Sequence, residues 1–166
     1  MQWEIKEMRR DHLEQVMEIE SRSFPTPWTR TMFLYELTSP TSFHFVAITA
    51  EKKAELILGY IIFWMVKGEV HILNLATHPS FRRLGVAHSL VLFSLDFSYR
   101  KGGILCLLEV RKENRAALNL YEKVGFAPWS IRRRYYVDTG EDAIVMKLLL
   151  GDRMCGYEDD GRPHPS

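Results

Sequence analysis

Three apolar, strand-like segments follow one another in the middle of the chain. They run from Phe43 to Ile48, from Ile57 to Val66 and from Val70 to Thr77, and each has the length and residue types of a β-strand. The charged turn Glu51–Lys53 separates the first two segments, and Gly68 separates the second from the third. Because short connections join antiparallel neighbours, we predict three successive antiparallel strands at the centre of the fold.

Helical patterns with recognisable end signals precede these strands. Trp3 to Met8 alternates apolar and polar residues as a half-buried strand does. Apolar residues then recur at helical spacing after Asp11, which we expect to cap a first helix. Two prolines interrupt the chain, and Thr29 is expected to cap a second helix that ends near Pro40.

The C-terminal half alternates helices and strands. A helix is predicted from Val86 to a point before Gly102, followed by a buried strand from Ile104 to Val110. The next helix is capped by Asn114 and ended by Gly125. Two further strands, from Phe126 to Tyr136 and from Ala143 to Leu149, are joined by a turn at Asp138–Gly140. The resulting order, β-α-α-β-β-β-α-β-α-β-β, predicts an α/β fold. We expect residues 1–150 to form one domain. Residues 151–166, rich in glycine, proline and charge, are expected to be a flexible tail.

The composition excludes several classes of protein. A chain of 166 residues is long enough for one domain with a buried core. Lys and Arg number 22 against 21 Asp and Glu, so the overall charge does not favour nucleic acid as a partner. A secretory signal and a membrane-spanning apolar run are not seen, and two cysteines make no disulfide framework, so we expect a cytoplasmic protein. The six histidines lack metal-ligand spacing.

The stretch Arg82–Ala87 has the composition of an anion-binding loop. Small residues at Gly85 and Ala87 allow a ligand to approach the backbone, and the unpaired N–H groups of the first helical turn favour negative charge. A glycine beside two arginines at a helix start is also ordinary loop chemistry, so this stretch alone indicates a pyrophosphate site only weakly.

Short motifs beyond this loop are more specific. They are Leu108–Arg111, Asn114, Leu120–Glu122, Gly125–Phe126, Arg133–Tyr136 and Glu141–Ala143. With them, residues 3 to 149 resemble the GNAT superfamily of acyl-coenzyme A dependent N-acetyltransferases, and within it the ribosomal-protein-alanine N-acetyltransferases. The resemblance implies a central mixed, splayed sheet of about seven strands flanked by four helices. It also implies that acetyl-CoA enters between the fourth and fifth strands and a protein N-terminus enters from the other side.

The resemblance implies roles for individual residues. Glu109 matches the general base of the family, and Tyr121 matches the general acid that protonates the leaving thiolate. The residues implied to bind the cofactor are Leu75, Ala76, Thr77, Arg82, Arg83, Leu84, Gly85, Val86, Ala87, His88 and Asn114. The residues implied to line the peptide site are Trp28, Tyr135 and Tyr136.

Amine acetylation needs residues of these types. An α-amino group ordinarily has a pKa of about 7.7–8.0, against about 10.4 for lysine, so a base of modest strength can deprotonate it. Glu109 suits such a base, although a strand-end carboxylate paired with Arg111 is a simpler interpretation of the same pattern. Tyr121 has the spacing of an ordinary core aromatic. Cys106 lies between two leucines and is expected to pack in the core rather than to carry an acyl group.

We therefore expect an acetyl-CoA dependent N-acetyltransferase that modifies the α-amino group of a protein N-terminus, most simply the N-terminal alanine of a small-subunit ribosomal protein, by direct attack in a ternary complex. The alternatives are a GNAT enzyme acting on a lysine or a small amine, an acyl-CoA-binding module without turnover, and an RNA-binding accessory protein. Arg132–Arg134 beside two tyrosines suggests the last of these. No nucleic acid, membrane or metal is expected as a partner, and a monomer is favoured.

Overall fold

The computed structural model describes residues 2–49 and 54–151, so the predicted turn at Glu51–Lys53 and residues 152–166 of the predicted tail lie outside the described residues. Two short 3-10 turns, Arg10–His12 and Pro79–Phe81, accompany the regular elements. Those elements are β1 (Trp3–Glu7), α1 (Leu13–Ser23), α2 (Arg30–Thr38), β2 (Ser42–Thr49), β3 (Leu56–Val66), β4 (Glu69–Thr77), α3 (Val86–Arg100), β5 (Leu105–Arg111), α4 (Arg115–Val124), β6 (Ala127–Arg132) and β7 (Ala143–Leu149).

The strands form one sheet in the order β1-β2-β3-β4-β5-β7-β6. β2 pairs antiparallel with β1 and β3, and β7 pairs antiparallel with β5 and β6. Lys67 and Gly68 join β3 to β4 with φ values of 49° and 81°, which is typical of a tight hairpin turn. The element order and the mixed sheet with four helices confirm the predicted α/β fold.

The chain divides into two compact units. The first comprises the described residues of Met1–Met65 and Ile72–Ser94, and the second those of Val66–His71 and Leu95–Ser166. The core of the first unit joins both N-terminal helices to the strands; its buried residues are Met8, Leu13, Val16, Ile19, Phe33, Val46, Ile48, Ile57, Tyr60, Ile62 and Ala76. The predicted domain limits, residues 1–150, stay a prediction.

Local capping explains the start of α2 and both ends of α4. The Thr29 hydroxyl accepts the Met32 N–H at 3.3 Å, and the Asn114 side chain accepts the Ala117 N–H at 3.1 Å, so both predicted caps are confirmed. Gly125 ends α4 with φ of 120°, a conformation that favours glycine. The predicted cap at Asp11 is wrong. Asp11 lies inside the 3-10 turn Arg10–His12, its carboxylate accepts from the Arg9 guanidinium at 3.0 Å, and His12 is the residue that precedes α1.

Two strand predictions need correction. The predicted buried strand from Ile104 starts at Leu105 and alternates buried with half-buried residues, and Ile104 itself is 65% exposed. The predicted strand to Tyr136 ends at Arg132, because Arg134 has φ of 51° and turns the chain away from the ladder. Tyr135 and Tyr136 therefore lie in the segment between β6 and β7 rather than in a strand.

Gly59 allows a close approach within the first unit. A Cβ at this position would lie 2.8 Å from the Ala76 carbonyl oxygen and 3.0 Å from a methyl carbon of Val86. Both distances are shorter than a Cβ contact can be without a shift of its neighbours. Glycine therefore lets β3 lie directly against β4 and the start of α3.

Candidate active site

Glu109 lies on β5 with its carboxylate beside a histidine. Oε2 of Glu109 lies 2.6 Å from Nε2 of His71 in β4, a short hydrogen-bond distance. The Glu109 side chain is 10% exposed and the His71 side chain is 22% exposed. A charged carboxylate this buried requires a polar partner, and His71 supplies one.

The side chains of β5 alternate between buried and half-buried positions. Cys106 and its alternate neighbours Leu108 and Val110 are buried, whereas Glu109 and Arg111 are on the half-buried positions of the strand. The burial of Cys106 agrees with the core role expected for it. Glu109 therefore stands on the more accessible face of an apolar strand.

Arg111 is not the partner of Glu109. Its guanidinium donates to Asp138 at 2.7 Å and to Glu141 at 3.3 Å, and it stacks over the Tyr136 ring at 4.0 Å from the ring centre. The hydrogen bond with Asp138 is the main reason why the pKa of Arg111 is raised. These contacts fix the segment 133–142 against β5. The hydrogen-bond partner of Glu109 is His71.

The two predicted tyrosines of the peptide site lie in that segment. Tyr135 and Tyr136 contact each other edge to face at 5.0 Å. Burial raises the pKa of Tyr136 to about 12, and burial together with the charge of Glu109 raises the pKa of Tyr135. Arg132 is within 4.0 Å of the second Glu109 oxygen. The charge of Glu109 therefore acts on both tyrosines, Tyr135 and Tyr136.

Tyr121 lies on the buried face of α4. It is 6% exposed, and its ring packs edge to face against Phe126 at 5.5 Å. Burial, with smaller contributions from Cys106 and Tyr136, raises the pKa of its hydroxyl well above the ordinary value. The hydroxyl therefore stays protonated at neutral pH.

The predicted pyrophosphate loop precedes α3 in the first unit. Arg83 and Gly85 have φ values of 62° and 90°, and a Cβ on Gly85 would meet no atom within 4 Å. The Ser89 N–H donates to the Gly85 carbonyl at 2.9 Å, so the N–H groups of residues 86–88 come before the first helical hydrogen bond. An open loop, a helix start and exposed arginines fit an anionic ligand.

The other residues predicted to bind the cofactor lie at the end of β4 and at the start of α4. Leu75–Thr77 form the end of β4, where the His78 N–H donates to the Leu58 carbonyl at 2.7 Å and holds this end against β3. Asn114 belongs to the second unit, where its side chain caps α4. Its predicted contact with a ligand would compete with this capping bond.

Trp28 is held by a buried carboxylate in the first unit. Glu20, 2% exposed, accepts the Trp28 backbone N–H at 3.0 Å, the Asn74 amide at 2.9 Å and the Tyr60 hydroxyl. The Trp28 ring lies 5.3 Å from that of Phe33 and packs against the core. The loop before α2 is thus anchored both by a hydrogen bond and by apolar contact.

Sequence reasoning misses His71 and Glu20. His71 is one of six scattered histidines, and no local signal marks it, because its partner is 38 residues away on another strand. Glu20 follows the helical apolar positions of α1, which is the one signal of its burial. Its three donors lie 8, 40 and 54 residues further along the chain.

Within residues 2–49 and 54–151, no group of three or more His, Cys, Asp and Glu side chains is arranged to hold a metal ion. In the same part of the chain, no helix is both long and apolar enough to cross a membrane.

Comparisons with known proteins define the family. Residues 13–126 match the acetyltransferase (GNAT) family. The N-alpha-acetyltransferase RimI of Mycobacterium tuberculosis is 33% identical over 156 residues, which cover 89% of this chain and 93% of that protein. The crystal structure of the ribosomal-protein-S18-alanine N-acetyltransferase from Escherichia coli has a TM-score of 0.81 at 30% identity, with 90% of this chain and 94% of that chain covered. Arabidopsis thaliana NAA60 in complex with acetyl-CoA shares the fold, with a TM-score of 0.82 at 16% identity and coverage of 90% and 99%.

The chain belongs to the GNAT acetyltransferase family, and it is an N-acetyltransferase.

Proposed function

We propose that this enzyme transfers the acetyl group of acetyl-CoA to the α-amino group of a protein N-terminus, and that its substrate is the N-terminal alanine of a ribosomal protein. The observation that carries the proposal is Glu109, a nine-tenths buried carboxylate on β5 with a histidine at 2.6 Å. Its place in the chain matches the general base of the ribosomal-protein-alanine N-acetyltransferases, and the similarity to one of them covers 90% of this chain.

The loop before α3 has the properties required to hold the phosphates. The N–H groups of residues 86–88 and the exposed Arg82 and Arg83 would bind the pyrophosphate, and the end of β4 at Leu75–Thr77 would bind the pantetheine arm. Bound acetyl-CoA supplies the thioester carbon that the amine attacks. The amine attacks it directly, so Cys106 forms no acyl intermediate.

Glu109 and Tyr121, which both belong to the second unit, have opposite roles in this proposal. Glu109 accepts the proton that the substrate ammonium must lose, which leaves the nitrogen electron pair available for attack. The nitrogen–carbon bond then forms as the carbon–sulfur bond breaks. Tyr121 donates its hydroxyl proton to the departing sulfur and recovers a proton from the nitrogen, which loses its second proton as the amide forms. Burial keeps the Tyr121 hydroxyl protonated before this transfer.

Replacing Gly85 with valine should weaken acetyl-CoA binding by about tenfold or more. A β-branched residue is strained at φ of 90°, so the loop must shift and displace the N–H groups that follow it. Calorimetric titration with acetyl-CoA measures the effect. Gly102→Val is the control, because Gly102 has φ of 92° and equally open space but no predicted ligand. If both variants bound acetyl-CoA with equal affinity, the stretch Arg82–Ala87 would not be the phosphate-binding loop.

Replacing Tyr121 with phenylalanine should slow turnover by about 10²-fold and leave acetyl-CoA affinity unchanged, since only the proton donor is lost. Steady-state rates of CoA release, together with calorimetric affinity, separate the two effects. Tyr99→Phe, on α3, is the control for removal of a half-buried tyrosine hydroxyl. A Tyr121→Phe enzyme with the parent rate would reduce this residue to a core aromatic.

The proposed substrate class is tested with matched peptides. One peptide begins with a free alanine, the second has the same sequence with a blocked N-terminus, and the third carries a lysine beyond the blocked end. We expect CoA release with the first peptide alone, and mass spectrometry should place the acetyl group on the α-nitrogen. This expectation follows from the lower proton affinity of an α-amine.

The remaining outcomes decide between the alternatives. Acetylation of the internal lysine with a blocked N-terminus would assign the enzyme to lysine or small-amine substrates. Acetyl-CoA binding without release of CoA with any amine would indicate a module without turnover. Salt-dependent retention of RNA would favour the accessory protein.

A further inference from the structure

The Glu20 carboxylate uses its two oxygens for different parts of the first unit. Oε1 accepts the Trp28 backbone N–H at 3.0 Å and so holds the loop that leads into α2. Oε2 accepts the Asn74 side-chain amide of β4 at 2.9 Å and the Tyr60 hydroxyl of β3. One side chain on α1 therefore joins a loop to the sheet, and all four residues belong to the first unit.

The two joined segments are those that we expect to bind different substrates. Trp28 is expected to line the peptide site. Asn74 directly precedes Leu75–Thr77, the end of β4 that we propose to bind the pantetheine arm. The distance between the acceptor amine and the thioester depends on where these two segments lie, and an error of about 1 Å there can lower a rate by about 10²-fold.

Aromatic contacts stabilise the same connection. The Trp28 ring lies 5.3 Å from the Phe33 ring, and the Phe33 ring packs edge to face against Tyr60 at 5.9 Å. Burial, together with the charge of Glu20, raises the pKa of the Tyr60 hydroxyl, so it stays protonated and donates to Glu20. The loop is thus held at its backbone by Glu20 and at its tryptophan ring by Phe33.

We propose that Glu20 is a positioning residue that couples the loop before α2 to the end of β4, and so fixes where the substrate amine lies relative to the thioester. The inference rests on the proposed function. Glu20 acts through the loop and the strand and does not touch the reacting atoms. Because coupling between two sites is reciprocal, acetyl-CoA bound at the end of β4 should also stabilise the loop.

A purely structural role of Glu20 predicts a different result. A variant that only lowers stability reduces the fraction of folded enzyme, so it lowers the apparent kcat and leaves the KM of each substrate unchanged. A variant that detaches the loop from the strand raises the peptide KM even in fully folded enzyme. The peptide KM therefore distinguishes positioning from stability.

Three variants of the buried network separate its bonds. Glu20→Gln has one carbonyl oxygen, so its NH₂ group must face either the Trp28 N–H or the Asn74 amide. Asn74→Ala removes the donor on β4, and it decides the test if Glu20→Gln does not fold by circular dichroism. Tyr60→Phe is the matched control, because it removes a third bond to the same carboxylate and keeps the loop and β4 attached.

The first measurement uses no acceptor. Hydrogen exchange of the Trp28 N–H is followed by NMR with and without saturating acetyl-CoA. In the parent enzyme and in Tyr60→Phe, acetyl-CoA should slow this exchange by about fivefold or more, the low end of ordinary couplings between sites. In Glu20→Gln and Asn74→Ala, acetyl-CoA should change the exchange rate by less than about twofold.

The second measurement is steady-state acetylation of the alanine peptide by fully folded samples. Glu20→Gln and Asn74→Ala should lower kcat/KM by roughly 10- to 10²-fold, with a higher KM for the peptide. Tyr60→Phe should stay within about threefold of the parent, since the loop and the strand stay attached to Glu20.

The outcomes separate this coupling from the proposed function. If bound acetyl-CoA slows the Trp28 exchange equally in the parent, Glu20→Gln and Asn74→Ala, or does not slow it in the parent, the coupling is wrong. It is also wrong if Tyr60→Phe loses as much of kcat/KM as Glu20→Gln, because the carboxylate then has a merely structural role. A parent enzyme that does not acetylate the alanine peptide, with the exchange difference intact, overturns the proposed function and still supports the coupling.

Discussion

Glu109→Gln should reduce the rate of acetyl transfer by about 10²- to 10⁴-fold, the range that a positioned general base contributes. The amide keeps the size of the side chain and can still hydrogen-bond to His71, but it does not accept a proton. Calorimetric affinity for acetyl-CoA should be unchanged. Single-turnover rates of peptide acetylation, measured across pH, should also lose the acidic limb seen in the parent enzyme.

The control for this change is Glu113→Gln. Glu113 is an exposed glutamate in the turn after β5, and none of the predicted site residues depends on it. Its variant should have the parent rate. If Glu109→Gln retained the parent rate and pH profile as well, the base would have to be sought elsewhere.

Glu20→Ala should destabilise the folded protein by roughly 3 kcal/mol or more, because each buried donor left without an acceptor costs about 1–3 kcal/mol. The change leaves the Tyr60 hydroxyl, the Asn74 amide and the Trp28 N–H without their acceptor. Urea unfolding followed by circular dichroism measures the loss as a lower midpoint. Glu20→Gln keeps one carbonyl oxygen, so its stability should lie between that of the parent and that of Glu20→Ala.

Glu18→Ala is the matched control on the same helix. The Glu18 side chain is 62% exposed and pairs with Arg22 one turn away at 3.7 Å, an interaction worth about 0.3–0.5 kcal/mol. If Glu18→Ala and Glu20→Ala lowered the free energy of unfolding by the same amount, the loss would come from placing alanine in α1 and not from removing the buried carboxylate.

The element order could be predicted because each element carries its own local signals. Thr29 and Asn114 cap helices through a hydrogen bond to the residue three positions on, and Gly125 ends α4 with a backbone conformation that favours glycine. Asp11 carries the same signal as Thr29, but the nearby Arg9 competes for its carboxylate. The end of β6 could not be predicted because the left-handed conformation of Arg134 has no sequence marker.

The site was predictable only to the extent that a family resemblance marks it. Glu109 and Tyr121 are identified through their motifs, and their roles stay predictions. The contact with His71 depends on which residues of β4 and β5 lie side by side, and strand register is a property of the assembled sheet. Trp28 was expected to line the peptide site, and that role stays a prediction; the hydrogen bond from its N–H to Glu20 anchors the loop before α2.

The clamp of Arg111 on Asp138, Glu141 and Tyr136 has a thermodynamic consequence for any ligand that binds there. Ordering a surface segment costs roughly 1–2 kcal/mol of backbone entropy for each residue. Segment 133–142 loses that entropy once, when the chain folds, and not again at every encounter. Binding at this surface should therefore cost little additional backbone entropy. Differences in affinity between ligands should then come from the contacts that each ligand makes.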